Sequence, residues 1–341
     1  MKATVFHKHG GLEVLSYEDV PDPVPSAVEV LVKVKACAIN HLDIWIRNGL
    51  PGVGPFPHIL GADIAGEVAG FGAAVKGITQ GQKVLLAPAT SCGRCQACLS
   101  GEDNACASYN IHGNRSQGGY AEYIVVPDVN VLPFPQNLSI EEAASVPLVF
   151  LTAWHMLITR ASLKPGEEVL VLGAGSGVGI AAIQVAKLWG ARVIATAGSA
   201  EKLEKAKALG ADEVINHSKQ DIVGEVKKLT AKRGVDIVFE HVGPATWEKS
   251  LLSMARKGRL VTCGATTGPR VDFDLRYVFS RQLSIFGSYM GTKGELIEAL
   301  KYIALGKLKP VVDKVFPLKE AAAAQKRIED RAQFGKVVLV P

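Results

Sequence analysis

Gly173-Ala174-Gly175-Ser176-Gly177-Val178-Gly179 is the stretch whose reading decides the fold. Ahead of it, residues 169–172 form an unbroken apolar run that suits a buried strand. Behind it, residues 178–188 carry apolar side chains at helical spacing. A glycine-rich turn in that setting leaves backbone N–H groups free to face a phosphate at a helix N-terminus. The literal G-x-G-x-x-G spacing is not met, because the sixth position from Gly173 is Val178. Context therefore carries the expectation that Gly173, Gly175, Ser176, Gly177, Val178 and Gly179 line a nucleotide site.

The same alternation runs on downstream. Strands are expected at 193–196, 213–215, 235–239, 260–263 and 283–286, with helices at 200–209, 222–229 and 295–305. Short apolar strands separated by amphipathic helices predict a doubly wound parallel α/β sheet. The end of the second strand chooses the cofactor. An NAD site wants an acidic side chain there to bond the ribose 2′-OH. Ala197 holds that position; Gly198 leaves room, Ser199 offers a hydroxyl, and Lys202 supplies charge for a 2′-phosphate. The expected cofactor is NADP(H), with Glu201 pointing along the helix surface. Gly264, Ala265 and Thr266, and then Phe286, Gly287 and Ser288, end later strands on the cofactor side of such a sheet.

Upstream, strand patterns at 28–35, 64–68, 83–87 and 121–126, broken by Gly and Pro, predict a compact and mostly antiparallel β unit. Ser139 with Glu141 and Glu142 offers a helix N-cap where the character changes. The domains expected are 1–135, completed by 307–341 through short strands near 311–316 and 336–340, and 136–306.

Cys92, Cys95, Cys98 and Cys106 fall close together, while Cys37 and Cys263 stand apart. Four clustered thiols close a tetrahedral shell around zinc and leave no open position, so a structural zinc site is expected. Net charge is +5 with alternating signs, and no basic block offers a nucleic-acid surface. No apolar run reaches membrane-spanning length, and residues 2–6 alternate like a strand rather than a signal peptide. Cytoplasm is the expected compartment.

The four-cysteine lobe, Gly61-Ala62-Asp63-Ile64-Ala65-Gly66-Glu67-Val68, the 173–179 loop, Ala208-Leu209-Gly210-Ala211-Asp212 and Phe334-Gly335-Lys336-Val337-Val338-Leu339 resemble the medium-chain dehydrogenase/reductase superfamily over essentially the whole chain. The resemblance implies a GroES-like catalytic domain, a Rossmann domain and an active site in the cleft. It also implies that Thr152 faces the nicotinamide, that His217 meets the adenosine phosphate, and that Lys336 and His41 lie near the pyrophosphate.

Departures from that pattern shape the functional expectation. Where zinc alcohol dehydrogenases carry Cys-x-x-Asp, this chain has Asn40-His41-Leu42-Asp43; their Gly-His-Glu becomes Gly61-Ala62-Asp63, and the third ligand position is Leu148. The cleft resembles that of quinone oxidoreductases. The expectation is hydride transfer between NADPH and a ketone, quinone or enone without catalytic zinc, with His41 and Asn40 as donors to the developing oxyanion. The alternatives are a zinc alcohol dehydrogenase using His41, Asp63 and Cys37, and a non-catalytic NADPH-binding protein. Partners would be a small carbonyl or alcohol substrate and further copies of the chain in a homodimer or homotetramer.

Overall fold

The computed structural model describes residues 1–341. Its first strands are β1 (Lys2–Phe6), β2 (Ser16–Asp19), β3 (Glu29–Ala38), β4 (His58–Ile59), β5 (Asp63–Phe71), β6 (Lys83–Leu86), β7 (Ala89–Thr90), β8 (Asn110–Ile111), β9 (Tyr123–Pro127) and β10 (Val131–Pro133). Helices α1 (His41–Arg47) and α2 (Gln96–Leu99) lie among them, followed by α3 (Ile140–Ala144) and α4 (Pro147–Trp154). Then β11 (Glu168–Val171), α5 (Gly177–Leu188), β12 (Arg192–Ala197), α6 (Ala200–Ala208), β13 (Glu213–Asn216), α7 (Ile222–Leu229) and β14 (Val235–Glu240) alternate. The chain continues with α8 (Trp247–Ser253), β15 (Met254–Thr262), α9 (Leu275–Arg281), β16 (Ser284–Gly287), α10 (Lys293–Ala304), β17 (Val312–Pro317), α11 (Ala321–Glu329) and β18 (Lys336–Val340). No helix is long and apolar enough to cross a membrane.

Two compact units result: Met1–Leu148 with Thr292–Gly306 and Pro310–Pro341, and Val149–Gly291 with Lys307–Lys309. This differs from the expected boundaries at 135/136 and 306/307. Helix α3 packs on β3 and β5 and so stays with the first unit. Helix α10, read from sequence as closing the α/β half, is tied to the first unit instead. Lys293 donates from its backbone to Asp103 and from Nζ to the Val129 carbonyl, and Asn137 donates to the Ile303 carbonyl.

In the first unit the main sheet runs β10-β6-β5-β3-β18-β17, with β9 also on β3. Val30, Val32 and Val34 of β3 point one way into the core, as period-2 alternation requires. β18 pairs antiparallel with β3, so both ends of the chain share one sheet. β17 and β18 are parallel to each other, the one departure from the antiparallel expectation in that sheet.

The second unit holds a six-stranded parallel sheet in the order β13-β12-β11-β14-β15-β16. β11, β12 and β14 are each buried at all but one residue, as helices on both faces demand. The strand order reverses between β11 and β14. In open α/β sheets the crevice beyond the strand ends at that reversal is where ligands bind.

Candidate functional site

At the end of β11 the chain turns through Gly173, whose φ of +60° lies in the left-handed region that favours glycine. Ser176 caps the 12-residue helix α5, its Oγ accepting from Gly179 N at 2.9 Å. A methyl group at Gly179 would stand 2.5 Å from the Gly173 carbonyl, so the helix can approach the strand this closely only with glycine there. Val178 and Gly177 form the first turn of α5. Gly173, Ala174, Ser176 and Gly179 use their N–H groups within the protein, which leaves those of Gly175, Gly177 and Val178 at the helix N-terminus as the cradle for the pyrophosphate of a dinucleotide.

The neighbouring strand end is continuous with it. Gly173 N donates to Thr196 Oγ1, and the same oxygen lies 3.3 Å from His217 Nδ1. Ala197 is buried, while Gly198 and Ser199 are exposed. A methyl at Gly198 would stand 3.1 Å from Ser218 Oγ and 3.2 Å from His217 Nε2, so these groups surround one small space. Ser199 caps α6 by accepting from Lys202 N. Glu201 pairs with Lys205 at 2.6 Å, one turn along the same helix.

Thr152, the sixth residue of α4, is buried, and its Oγ1 has no hydrogen-bond partner within the protein. Ser288 Oγ is also orphaned, whereas its backbone N–H donates to Thr262. Buried hydroxyls without a partner inside the protein, Thr152 and Ser288 among them, are able to take a polar ligand. Phe286 and Gly287 meet Arg160, which stacks over the ring at 5.8 Å and donates to the Gly287 carbonyl. Thr266 donates to the His241 carbonyl, joining the loop of Gly264 and Ala265 to the loop after β14.

The candidate catalytic residues sit in the first unit. Asn40 is the N-cap of α1, with Asp43 accepting from Asn40 N at 2.8 Å. The Asn40 amide is engaged at both ends: Oδ1 accepts from Lys336 Nζ at 2.5 Å and Nδ2 donates to Asp63 Oδ2 at 2.9 Å. Lys336 also pairs with Asp63 at 2.8 Å, and the other Asp63 oxygen accepts from Leu148 N. With Lys336 at 4% and Asp63 at 0% exposure, this is a buried ion pair whose lone pairs and protons are satisfied by neighbours. The Lys336 ammonium is thus occupied inside its own unit. His41, by contrast, is partly exposed at the first turn of α1, its ring edge-on to Trp45 at 5.0 Å. Burial pushes the Asp43 carboxyl up to about 6, although Asn40 N and the Tyr120 hydroxyl donate to it. Burial likewise pushes the Cys37 thiol up. Tyr120 and Phe150 are core side chains.

The lobe cysteines come together as their spacing suggests. Cys95 caps the short helix α2, Cys98 lies within it, and Cys92 and Cys106 flank it. All four sulfur atoms lie within 4.8 Å of one another, a set able to close around one tetrahedral ion. Backbone N–H groups point at the sulfurs, from Cys95 to Cys92 at 3.4 Å and from Ser108 to Cys106 at 3.3 Å. Such donors favour thiolates. No other group of three or more His, Cys, Asp or Glu side chains brings its ligand atoms within reach of one ion.

Sequence reasoning missed His241 and the Lys336–Asp63–Asn40 arrangement. Both depend on which strands are neighbours, and neighbours in a sheet are not written in local periodicity.

Comparison with known proteins agrees with this architecture. Residues 26–136 match the model of an alcohol dehydrogenase GroES-like domain, and residues 177–304 that of a zinc-binding dehydrogenase. The chain is 34% identical over 340 residues to an NAD-dependent alcohol dehydrogenase of Sulfurisphaera tokodaii, covering 96% of each protein. It is 32% identical over 349 residues to a quinone oxidoreductase of Sus scrofa, covering 100% of this chain and 98% of that one. A crystal structure of an NAD-dependent alcohol dehydrogenase superposes with a TM-score of 0.97 at 49% identity, covering 100% of both chains.

Proposed function

Because the chain belongs to the medium-chain dehydrogenase/reductase superfamily, we propose that it transfers hydride between NADPH and a ketone, quinone or enone without a catalytic zinc. It is an oxidoreductase of the alcohol dehydrogenase/quinone oxidoreductase type. The zinc-free reading rests on one observation, the buried contact of Lys336 with Asp63 and Asn40. Ala62 and Leu148 offer no lone pair, the Asn40 amide is in use, and a buried ammonium opposes a divalent cation in the same place. These residues do not fit a catalytic zinc.

A bound nicotinamide would supply or accept the hydride. The protein's part is to bind, orient and polarise. The 173–179 cradle holds the pyrophosphate, and Thr152 offers its orphan hydroxyl to the nicotinamide end. Gly198, Ser199, Lys202 and His217 receive the 2′-phosphate, with Ser218 added by its position. Similar proteins are named both for NAD and for quinones, so the strand end at Ala197, rather than those names, supports NADP(H). His41 donates to the carbonyl oxygen; loss of one such donor typically costs about 2.7–4 kcal/mol in the barrier. Asn40, with both ends of its amide engaged, holds the start of α1 beside it.

Cys92, Cys95, Cys98 and Cys106 hold one structural zinc, which orders the lobe and does no chemistry. Free cysteines in such a cluster suit the reducing cytoplasm. The protein works as a homodimer or homotetramer on a small carbonyl or alcohol substrate.

The test combines kinetics with metal location. We expect a higher kcat/KM with NADPH than with NADH, and one anomalous peak at the zinc edge, in the lobe. A second peak bound by His41, Asp63 or Cys37 would give the zinc alcohol dehydrogenase instead. Failure to turn over any carbonyl or alcohol would leave a protein that only binds the nucleotide.

A further inference from the structure

The loops at the C-terminal edge of the parallel sheet converge on one side chain. His241 follows β14, directly across the strand-order reversal from β11. It is 8% exposed. Its Nε2 lies 2.9 Å from the Leu172 carbonyl, which can only accept, so Nε2 carries the proton and donates. The same nitrogen is 3.4 Å from Ser176 Oγ, the cap of α5. A methyl group at Gly173 would come within 3.1 Å of His241 Cε1, so the ring packs directly on the turn. On its other side the His241 carbonyl accepts from Thr266, and Val242 O accepts from Thr267 N and Oγ1 at 2.9 and 2.7 Å. The turn after β14 is itself fixed. The buried Glu240 carboxylate accepts from Val242 N, Gly243 N and Thr246 Oγ1.

We propose that His241 is a positioning residue of the dinucleotide site, fixing the turn from Leu172 to Ser176 and so setting cofactor affinity. The inference rests on the pyridine-nucleotide reading above. A bond from the ring to a carbonyl at the start of the cradle and a contact with its helix cap together hold the cradle's two ends at a fixed separation. Without the ring, the backbone N–H groups that face the pyrophosphate lose that anchor, and ordering them is charged to cofactor binding. The hydride step, with the cofactor already seated, is left nearly as it was.

The experiment is direct titration of the purified wild type and variants with NADPH by fluorescence, with thermal melting and steady-state kinetics alongside. A Gln side chain places its amide NH₂ where the imidazole Nε2 stands, whereas Asn places it where Nδ1 stands. We therefore expect His241→Asn to raise the Kd and KM for NADPH by about fivefold to tenfold, the size of one lost neutral hydrogen bond. His241→Gln should recover most of the affinity, and kcat at saturating NADPH should change little in either. Equal NADPH affinity in wild type and His241→Asn would overturn the proposal. So would an affinity loss that Gln does not rescue and that follows the fall in Tm, or a loss confined to kcat. A wild type that binds neither NADPH nor NADH would refute the cofactor reading itself, which the variants alone could not do.

Discussion

At the scale of single residues, the proposed preference for NADP(H) turns on one short side chain. Ala197 ends β12, and the exposed Gly198 opens beside His217 and Ser218. An acid at 197 would accept from a ribose hydroxyl and repel a 2′-phosphate. Ala197→Asp should lower the NADPH-to-NADH ratio of kcat/KM by at least about tenfold, equivalent to roughly 1.4 kcal/mol; an unchanged ratio would show that the phosphate lies elsewhere. Asp43 supports a second prediction at this scale. Burial raises its carboxyl from 3.8 to about 6, so between those values the native state holds a proton that the unfolded chain has released. Stability from this group is fully present below about pH 4 and is lost as pH rises through 6, a contribution of up to about 3 kcal/mol. The buried His112, lowered to about 4, slopes the opposite way over the same range, so the Asp43 contribution is read as a difference. In denaturant unfolding from pH 4 to 7 the stability of the wild type minus that of Asp43→Asn should fall as pH rises; a difference that does not change with pH would assign the effect to other groups. That Asn40, Ala62 and Leu148 stand where zinc alcohol dehydrogenases carry their ligands was readable in the sequence. What occupies that place was not, because Lys336 reaches it from a strand that follows Asn40 by nearly the whole chain.

At the scale of elements, legibility followed local signals. Ser139 forms the capping box with Glu142 that its spacing announces, and α7 spans the residues its periodicity marks. Helix α1 carries too weak a periodicity to be legible because it is only seven residues long, with Asn40 as its cap. Helix α8, also seven residues, sits between two strand patterns and was hidden for the same reason of length. The cysteine lobe was legible because ligand spacing survives without regular structure. Its elements are a four-residue helix and a three-residue turn, too small to hold themselves. Cys95→Ser should therefore release the metal and destabilise the protein by a few kcal/mol, on the order of 5–10 °C in Tm. NADPH affinity should be retained, since the cradle belongs to the other unit. Elemental analysis and thermal melting check this; wild type without zinc, or a variant that loses cofactor rather than stability, contradicts it.

At the scale of the whole molecule, the parallel sheet ends abruptly. β16 is its edge strand, bonded only to β15. Such an edge presents unpaired N–H and C=O groups, which natural proteins cover, charge or pair with another chain. None of its own four residues is charged. Ile285 lies on the strand at 37% exposure, and Leu275 and Phe279 on the preceding helix α9 are exposed at 67% and 69%. Arg160 holds the Gly287 carbonyl at one end, leaving the rest of the strand available. A second copy related by a twofold axis would lay its own edge against this one, satisfying both rows of backbone groups and covering both apolar patches in one self-complementary contact. The protein should accordingly sediment as a dimer, or as a tetramer built from such dimers. Ile285→Lys places an unpaired charge in the centre of that contact. Leaving a buried charge without a partner costs about 3–5 kcal/mol, so dissociation should be favoured by roughly a hundredfold or more. Sedimentation velocity at micromolar concentration reads the outcome, with the variant's melting temperature as the control for folding. A tetramer that keeps one interface would fall to dimers, and a dimer to monomers. Wild type that sediments as a monomer, or a folded variant with unchanged assembly, would place the partner surface away from β16.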